Sequence, residues 1–434
     1  MRRMVIISLL LFVVLAPGFS TGVQEKKAGP VTLTLWYPAG EITQTTRAYR
    51  DIPNLFAAFE AANNCKIELV AVDYDTMQQK ILTAMAGGQV PDIGHISTTW
   101  MGGFLKDKGL YQVPEADAKA WMAVVTPEIQ ALSDFGGGKM YGYPNWGIDI
   151  YGLFWNKDMF KEAGLNPEAA PKYWADFRDT SKKTSVTNPD GTLKRVGYAI
   201  RHLGHPHGIV DKWHWLLEGT GMKFISDYNL LKGGSCSFNQ PNARAGLQMA
   251  YDMVYKDKST SLEFPDPRDC LLKGLASMQI SETISIQVRA PKEAPNLNWG
   301  LAAPPAMKEG TKPACSVAGW CTSVFAQSKN INLAYRAIKW YNGKENDYAQ
   351  AKQFMVTPRY TENWAKEPFS TDPYIKQFKA LLPYARVYPR SLALNGIMTS
   401  IGTAVQKILH NELGVEAALV EAENTANAAI KALE

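Results

Sequence analysis

Four of the six histidines of this 434-residue chain fall within 13 residues, in Arg201-His-Leu-Gly-His-Pro-His-Gly208 followed by Asp211, Trp213, His214 and Trp215. His205 and His207, joined by Asp211 or His202, are the residue types that chelate a divalent metal. Their spacing lacks the helical His pair and the Cys ligands of common metal sites, so no metal and no cofactor are expected. Catalytic signatures are absent as well: there is no Gly-x-Ser-x-Gly elbow, P-loop, Gly-x-Gly-x-x-Gly or His-Glu-x-x-His. Two carboxylates such as Asp149 and Glu282 would serve as an acid–base pair only at a separation of about 5–10 Å, which sequence does not fix. The remaining chemistry is recognition. Flat rings cover apolar faces and planar polar groups meet hydroxyls, and the chain holds 12 Trp and 19 Tyr.

Position must select among so many rings, and position follows from the elements. Val31 to Tyr37 alternates and is β-branched, so it reads as a first strand ended by Pro38. Residues 53–62 have helical spacing, Lys66 to Val72 is a second strand, and Tyr74 to Ala86 is a helix closed by Gly87-Gly88. Val90 to Ile96 is a short buried strand and Thr99 to Lys108 a helix. A strand over 141–155 is followed by helices at 159–164, 177–185, 213–221 and 239–254. Strands follow at 277–281, 299–303 and 319–326, then helices at 332–340, 397–409 and 415–433. Strands alternating with helices of this length predict an α/β fold with mixed sheets covered on both faces.

Composition narrows the class. Arg2-Arg3, the apolar run Val5 to Leu15 and the small residues through Gly22 read as an export leader over residues 1–24. No cysteine precedes Cys65, so no lipid-modified cysteine is expected, and the product is expected to be soluble and periplasmic. Formal charge is +5, about +3 without the leader, which gives no basis for nucleic-acid binding. About 410 residues exceed one ordinary core, so two lobes are expected. Export permits disulfides among Cys65, Cys236, Cys270, Cys315 and Cys321. Cys315–Cys321 and Cys236–Cys270 are the nearest pairs, and burial as small apolar side chains is the other reading.

Several segments carry a family resemblance. They are Gln79-Lys-Ile-Leu-Thr-Ala-Met-Ala-Gly-Gly-Gln-Val-Pro-Asp92, Asn156-Lys-Asp-Met-Phe-Lys-Glu-Ala-Gly-Leu165, Leu272-Lys-Gly-Leu-Ala-Ser-Met278, Gly319-Trp320 and the stretch from Leu413 to Asn427. In this order and spacing the chain resembles the carbohydrate-type (maltose-binding-protein-like) solute-binding proteins of bacterial ABC importers. Tyr173 stands where that family usually has a Thr before Trp174, which weakens a helix cap. The resemblance implies two lobes joined by crossing strands at a hinge. The expected lobes are 31–143 with 300–345, and 144–299 with 346–434. It also implies a monomer that captures a mono- or oligosaccharide between the lobes and delivers it to membrane permease subunits, with no chemistry of its own. The same fold could instead take a glycerophosphodiester or a polyamine, and a secreted glycoside-active enzyme is the reading from a different class.

The candidate contacts follow from this frame. Trp36 and Glu41 close the first strand, where an open α/β sheet places its crevice, and Ser97, Thr98 and Trp100 follow the Pro-Asp strand at the same edge. Asn145, Trp146, Asp149 and Tyr151 occupy the crossover segment. Glu282 follows the Met278 strand. Gly319 and Trp320 are read as a glycine turn opening a strand, and Arg359 lies in a loop that the family brings to the cleft. Trp213 and Trp215 diverge by roughly 200° on a helix, so one of them at most faces a ligand, and Trp215 is preferred.

Overall fold

A computed structural model describes residues 29–39, 56–229, 231–264, 267–354 and 356–433. Ten strands form one curled sheet. They are β1 (Val31–Ala39), β2 (Cys65–Asp73), β3 (Ile93–Ser97), β4 (Tyr143–Asn156), β5 (Val186–Thr187), β6 (Leu193–Ala199), β7 (Ala276–Glu282), β8 (Trp299–Ala302), β9 (Cys315–Val324) and β10 (Ala385–Val387). The order is β2-β1-β3-β9-β4-β7-β6-β5, with β10 on β9 and β8 on β4. β1 is parallel to β2 and β3, whereas β3, β4 and β7 join through antiparallel ladders. The predicted mixed α/β class is the observed one.

The alternation read in β1 has its physical counterpart, because Leu33 and Leu35 are fully buried and Tyr37 nearly so. All five residues of β3 are buried, as befits a central strand covered on both faces. β4 is the element that joins the halves. Its first part, Tyr143 to Ile150, pairs with β9, and its second part, Tyr151 to Trp155, pairs with β7. The buried apolar side chains fall into two large clusters, and β4 contributes to both. Leu33, Ile150, Val317, Ile338 and Phe378 share one core, while Tyr151, Phe177, Trp215, Met278, Ile397 and Leu419 share another. Ala351, Val356, Tyr374 and Phe378 belong to the first core, which also takes in Phe154, Leu271, Ile286 and Leu301.

Two boundaries differ from the sequence reading. The helix expected from Trp213 begins at Pro206 and runs to Leu217, with His205 as its N-cap and Pro at its first position. β9 begins at Cys315, which places Gly319 and Trp320 inside a strand rather than at a turn. The cap before Trp174 does lack a side chain from Tyr173, but Asp176 Oδ2 accepts from Tyr173 N at 3.2 Å and closes the first turn from the other side. All five cysteines are free and buried. Cys315 and Cys321 lie six positions apart on one extended strand, about 20 Å at 3.3 Å per residue, beyond the reach of a disulfide. Among the described residues, no helix is long and apolar enough to cross a membrane.

Candidate functional site

The candidate residues assemble along β4. In the ladders on either side of β9, Ser97 stands opposite Trp320 and so does Asn145. Asn145 Nδ2 lies 2.7 Å from His95 Nδ1. The Trp320 ring stacks on His95 at 5.0 Å and 14°, and meets Trp100 edge-on at 5.3 Å and 80°. Trp100 is fully buried and acts as a backing for Trp320, which is itself only half-buried. Tyr74, at the end of β2, brings a third ring 6.0 Å from Trp320.

Between Asn145 and Asp149 the register of β4 on β9 shifts, and Trp146 lies within that irregularity. Such bulges re-aim the side chains that follow. Beyond it come Asp149 and Tyr151, the latter opposite Glu282 on β7. The Tyr151 hydroxyl lies 3.0 Å from Glu282 Oε1 and 3.2 Å from Asp211 Oδ2. Tyr388 OH donates to Asp211 Oδ1 at 2.6 Å. Lys212 Nζ is 2.6 Å from Glu282 Oε2 and 4.4 Å above the Tyr151 ring. Burial, then the Glu282 charge, raises the Asp149 carboxyl well above its usual range, and Asp149 Oδ1 is enclosed without a hydrogen-bond partner. Burial pushes Asp211 up to about 6, against the hydrogen bond from Tyr388. Burial also works to raise Glu282, but the adjacent Lys212 ammonium outweighs it and holds the carboxyl below its ordinary value.

The two halves touch over this cluster. Gln78 Nε2 donates to Asn395 Oδ1 at 2.8 Å, His205 Nε2 lies 3.3 Å from Gln78 Oε1, and His207 Nδ1 lies 3.3 Å from Thr99 Oγ1. A Cβ on Gly102 would come within 2.6 Å of the Ser391 carbonyl oxygen, so only glycine permits that approach. The histidine group does not converge: His202 turns away, its Nδ1 3.1 Å from His410 Nε2.

These buried groups oppose one another as pH falls. Burial lowers His95 and His207 to about 3. The unfolded chain takes up protons that they refuse, so stability declines as pH drops from about 6.5 toward 3. Asp211 has the opposite sign. Its raised folded value lets the native protein bind a proton first, which restores stability as pH falls from about 6 toward 3.8. Asp211→Asn removes that offset. Its unfolding free energy should decline more steeply than the wild type's across this window, by about 1.4 kcal/mol per pH unit. Parallel denaturation profiles at each pH would show that Asp211 does not carry this proton.

The other expected residues are placed differently. Trp215 is enclosed in the second core, edge-on to Phe177 at 5.2 Å, with Nε1 donating to the Lys212 carbonyl. It cannot contact a solute from there. Arg359 is also buried, with Nε donating to Asp347 at 2.6 Å and Nη1 to the Pro144 carbonyl at 3.0 Å. All of its reach is spent inside the first half. Thr98 N donates to the Gly319 carbonyl at 2.9 Å, which continues the β3–β9 pairing past Ser97. Trp36 is half-buried beside Val72 and Trp100. Glu41 lies outside the described residues, and β4 places the backbone of Trp146.

Tyr74, His95, Asp211, Lys212 and Tyr388 complete the cluster and were not on the sequence-derived list of contacts. Tyr74 follows β2 at the edge that had selected Trp36. Asp211-Lys212 interrupts an otherwise apolar run of the 206–217 helix, which is a readable signal. Tyr388 carries none.

Residues 43–348 match the family described as bacterial extracellular solute-binding protein. A putative binding protein of Brucella abortus is 24% identical over 413 residues, covering 91% of this chain and 94% of that protein. The arabinooligosaccharide-binding protein of Bacillus subtilis is 25% identical, covering 80% and 77% respectively. Among solved structures, a solute-binding protein of Thermotoga lettingae bound with α-D-tagatose superposes with a TM-score of 0.79 at 22% identity, covering 92% of this chain and all of that one. The maltotriose-bound maltose/maltodextrin-binding domain of Bdellovibrio bacteriovorus gives the same TM-score at 17% identity, with the same coverage. With the two-lobed fold and a match over most of its length, this chain belongs to the bacterial extracellular solute-binding proteins.

Proposed function

We propose that this protein captures a carbohydrate between its two halves and presents it to the membrane permease of an ABC importer, without transforming it. The observation that carries this reading is the arrangement around Trp320. A half-buried indole is held flat by His95 and Trp100, Ser97 of β3 and Asn145 of β4 stand opposite it, and Asp149 of β4 and Glu282 of β7 follow further along the sheet. A sugar ring presents an apolar face to such an indole and hydroxyls to such acceptors. Sugars named with the related proteins agree with this. In this reading the protein is exported to the periplasm, β4 and β9 are the crossing strands of the hinge, and closure brings the Gln78–Asn395 contact together.

A thermal-shift screen of mono-, di- and oligosaccharides tests it, since a ligand at about 100 times its Kd stabilises by about 2.7 kcal/mol. For the sugar so found, Trp320→Ala should weaken binding by about 1–3 kcal/mol, or about 5- to 150-fold in Kd by calorimetry. The bound sugar should be recovered chemically unchanged. Unaltered affinity in Trp320→Ala would remove the ring from the site and with it the main support for a sugar.

A further inference from the structure

We propose that the solute carries an anionic group, a carboxylate or a phosphate, received by Arg201 at the start of the 206–217 helix. This rests on the cleft reading above and narrows it from carbohydrates in general to acidic ones. Arg201 is only 6% exposed. Its Nε is enclosed without a hydrogen-bond partner, and among the described residues its guanidinium forms neither an ion pair nor a hydrogen bond. Only its backbone is engaged, the carbonyl accepting from Trp213 Nε1 at 2.7 Å. Buried guanidinium groups are ordinarily matched by carboxylates or phosphates, because an uncompensated buried charge is costly.

The surroundings make the missing charge more conspicuous. The guanidinium lies over Gly208 in the first turn of a 12-residue helix. A Cβ on Gly208 would stand 2.9 Å from Arg201 Nη2 and 3.2 Å from Cζ, and one on Gly204 would stand 3.1 Å from Nη2. Two glycines thus leave room for this group at the end of the helix where the backbone dipole is positive. A lone cation is disfavoured there and an anion is favoured. The nearby acids do not supply that anion. Glu282 is neutralised by Lys212 at 2.6 Å, and Asp211 accepts from Tyr388 and lies beside the Tyr151 hydroxyl. Arg201 acts electrostatically on Tyr74 from the opposite half and on Glu282, Lys212 and His205. Its charge is therefore felt by groups of both halves. A neutral sugar could hydrogen-bond there but would leave the charge unmatched.

Calorimetry with matched probes tests this. Neutral mono-, di- and trisaccharides are compared with their uronate and phosphorylated counterparts, and with glycerol 3-phosphate, at low and high salt. An acidic member should bind about 10- to 100-fold more tightly than its neutral counterpart, and that preference should shrink with salt. Whether uronate or phosphate gains more identifies the group. In Arg201→Gln the acidic-to-neutral ratio should fall to about one, and Arg201→Lys should retain part of it. If Arg201→Gln fails to fold, the wild-type ratio still decides. Neutral probes binding as well as acidic ones, no acidic probe binding, or a preference that survives Arg201→Gln would each overturn the inference. Binding of glycerol 3-phosphate with no sugar bound would instead overturn the carbohydrate reading and leave the anion site standing.

Discussion

Arg359→Met is expected to cost about 3–5 kcal/mol of unfolding free energy, as removal of one partner from a buried ion pair does. Arg359 and Asp347 expose only 1% and 2% of their side chains. Asp347 also accepts from the backbone N of Arg359 at 3.0 Å and from Asn363 Nδ2 at 2.8 Å. Without the guanidinium, a buried carboxylate keeps its amide donors but loses its counter-charge. The Pro144 carbonyl and the Asn342 side chain lose their donor too. Pro144 belongs to the first part of β4, so the network anchors the 342–363 segment to the strand that carries the site. Urea denaturation measures the cost. Solute affinity of the folded variant should shift by no more than about 0.5 kcal/mol, because the residue lies away from the cleft. Lost binding with retained stability would put Arg359 back among the solute contacts, where the family resemblance had placed it.

Arg359 also marks what could be read in the chain and what could not. Local patterns carried far. The β-branched alternation of Val31 to Tyr37 and the Tyr74–Ala86 helix follow from periodicity and stop signals. The Asn145–Tyr151 segment was identified as a crossing strand, and Ser97, Asn145 and Trp320 do come together across three neighbouring strands. β9 was misread at its start because Cys, Ser, Ala and Gly resemble a turn in isolation. In a central strand, small side chains instead let neighbouring elements pack closely. The start of the 206–217 helix was missed although His205-Pro206 is a good N-terminal signal. The charge pairings lay beyond sequence. Lys212 and Glu282 are 70 positions apart, and only the meeting of a helix with the end of β7 decides that they are partners and that Arg201 is not.

Lys212→Met should therefore destabilise the protein by about 2–4 kcal/mol, slightly less than Arg359→Met because Glu282 retains 21% exposure of its side chain. The penalty comes from the carboxylate left behind, not from the lost contact itself. Glu282 would keep the Tyr151 hydroxyl beside it but lose the only ammonium next to it among the described residues. Adding Glu282→Leu removes the stranded charge, so the double variant should recover most of the stability. The pH dependence gives an independent check. In the wild type Glu282 titrates below its ordinary 4.5, so its contribution is present above that value and fades as pH falls below it. In Lys212→Met burial is opposed only by a backbone hydrogen bond and the Arg201 charge, so the carboxyl titrates higher than in the wild type and acidification relieves the variant. The gap between the two proteins should then narrow as pH drops through about 4.5. A gap that stays constant across that range, or a double variant no more stable than Lys212→Met alone, would mean that the pair is not electrostatically coupled. The Lys212 ammonium over the Tyr151 ring would then be what holds this part of the cleft together.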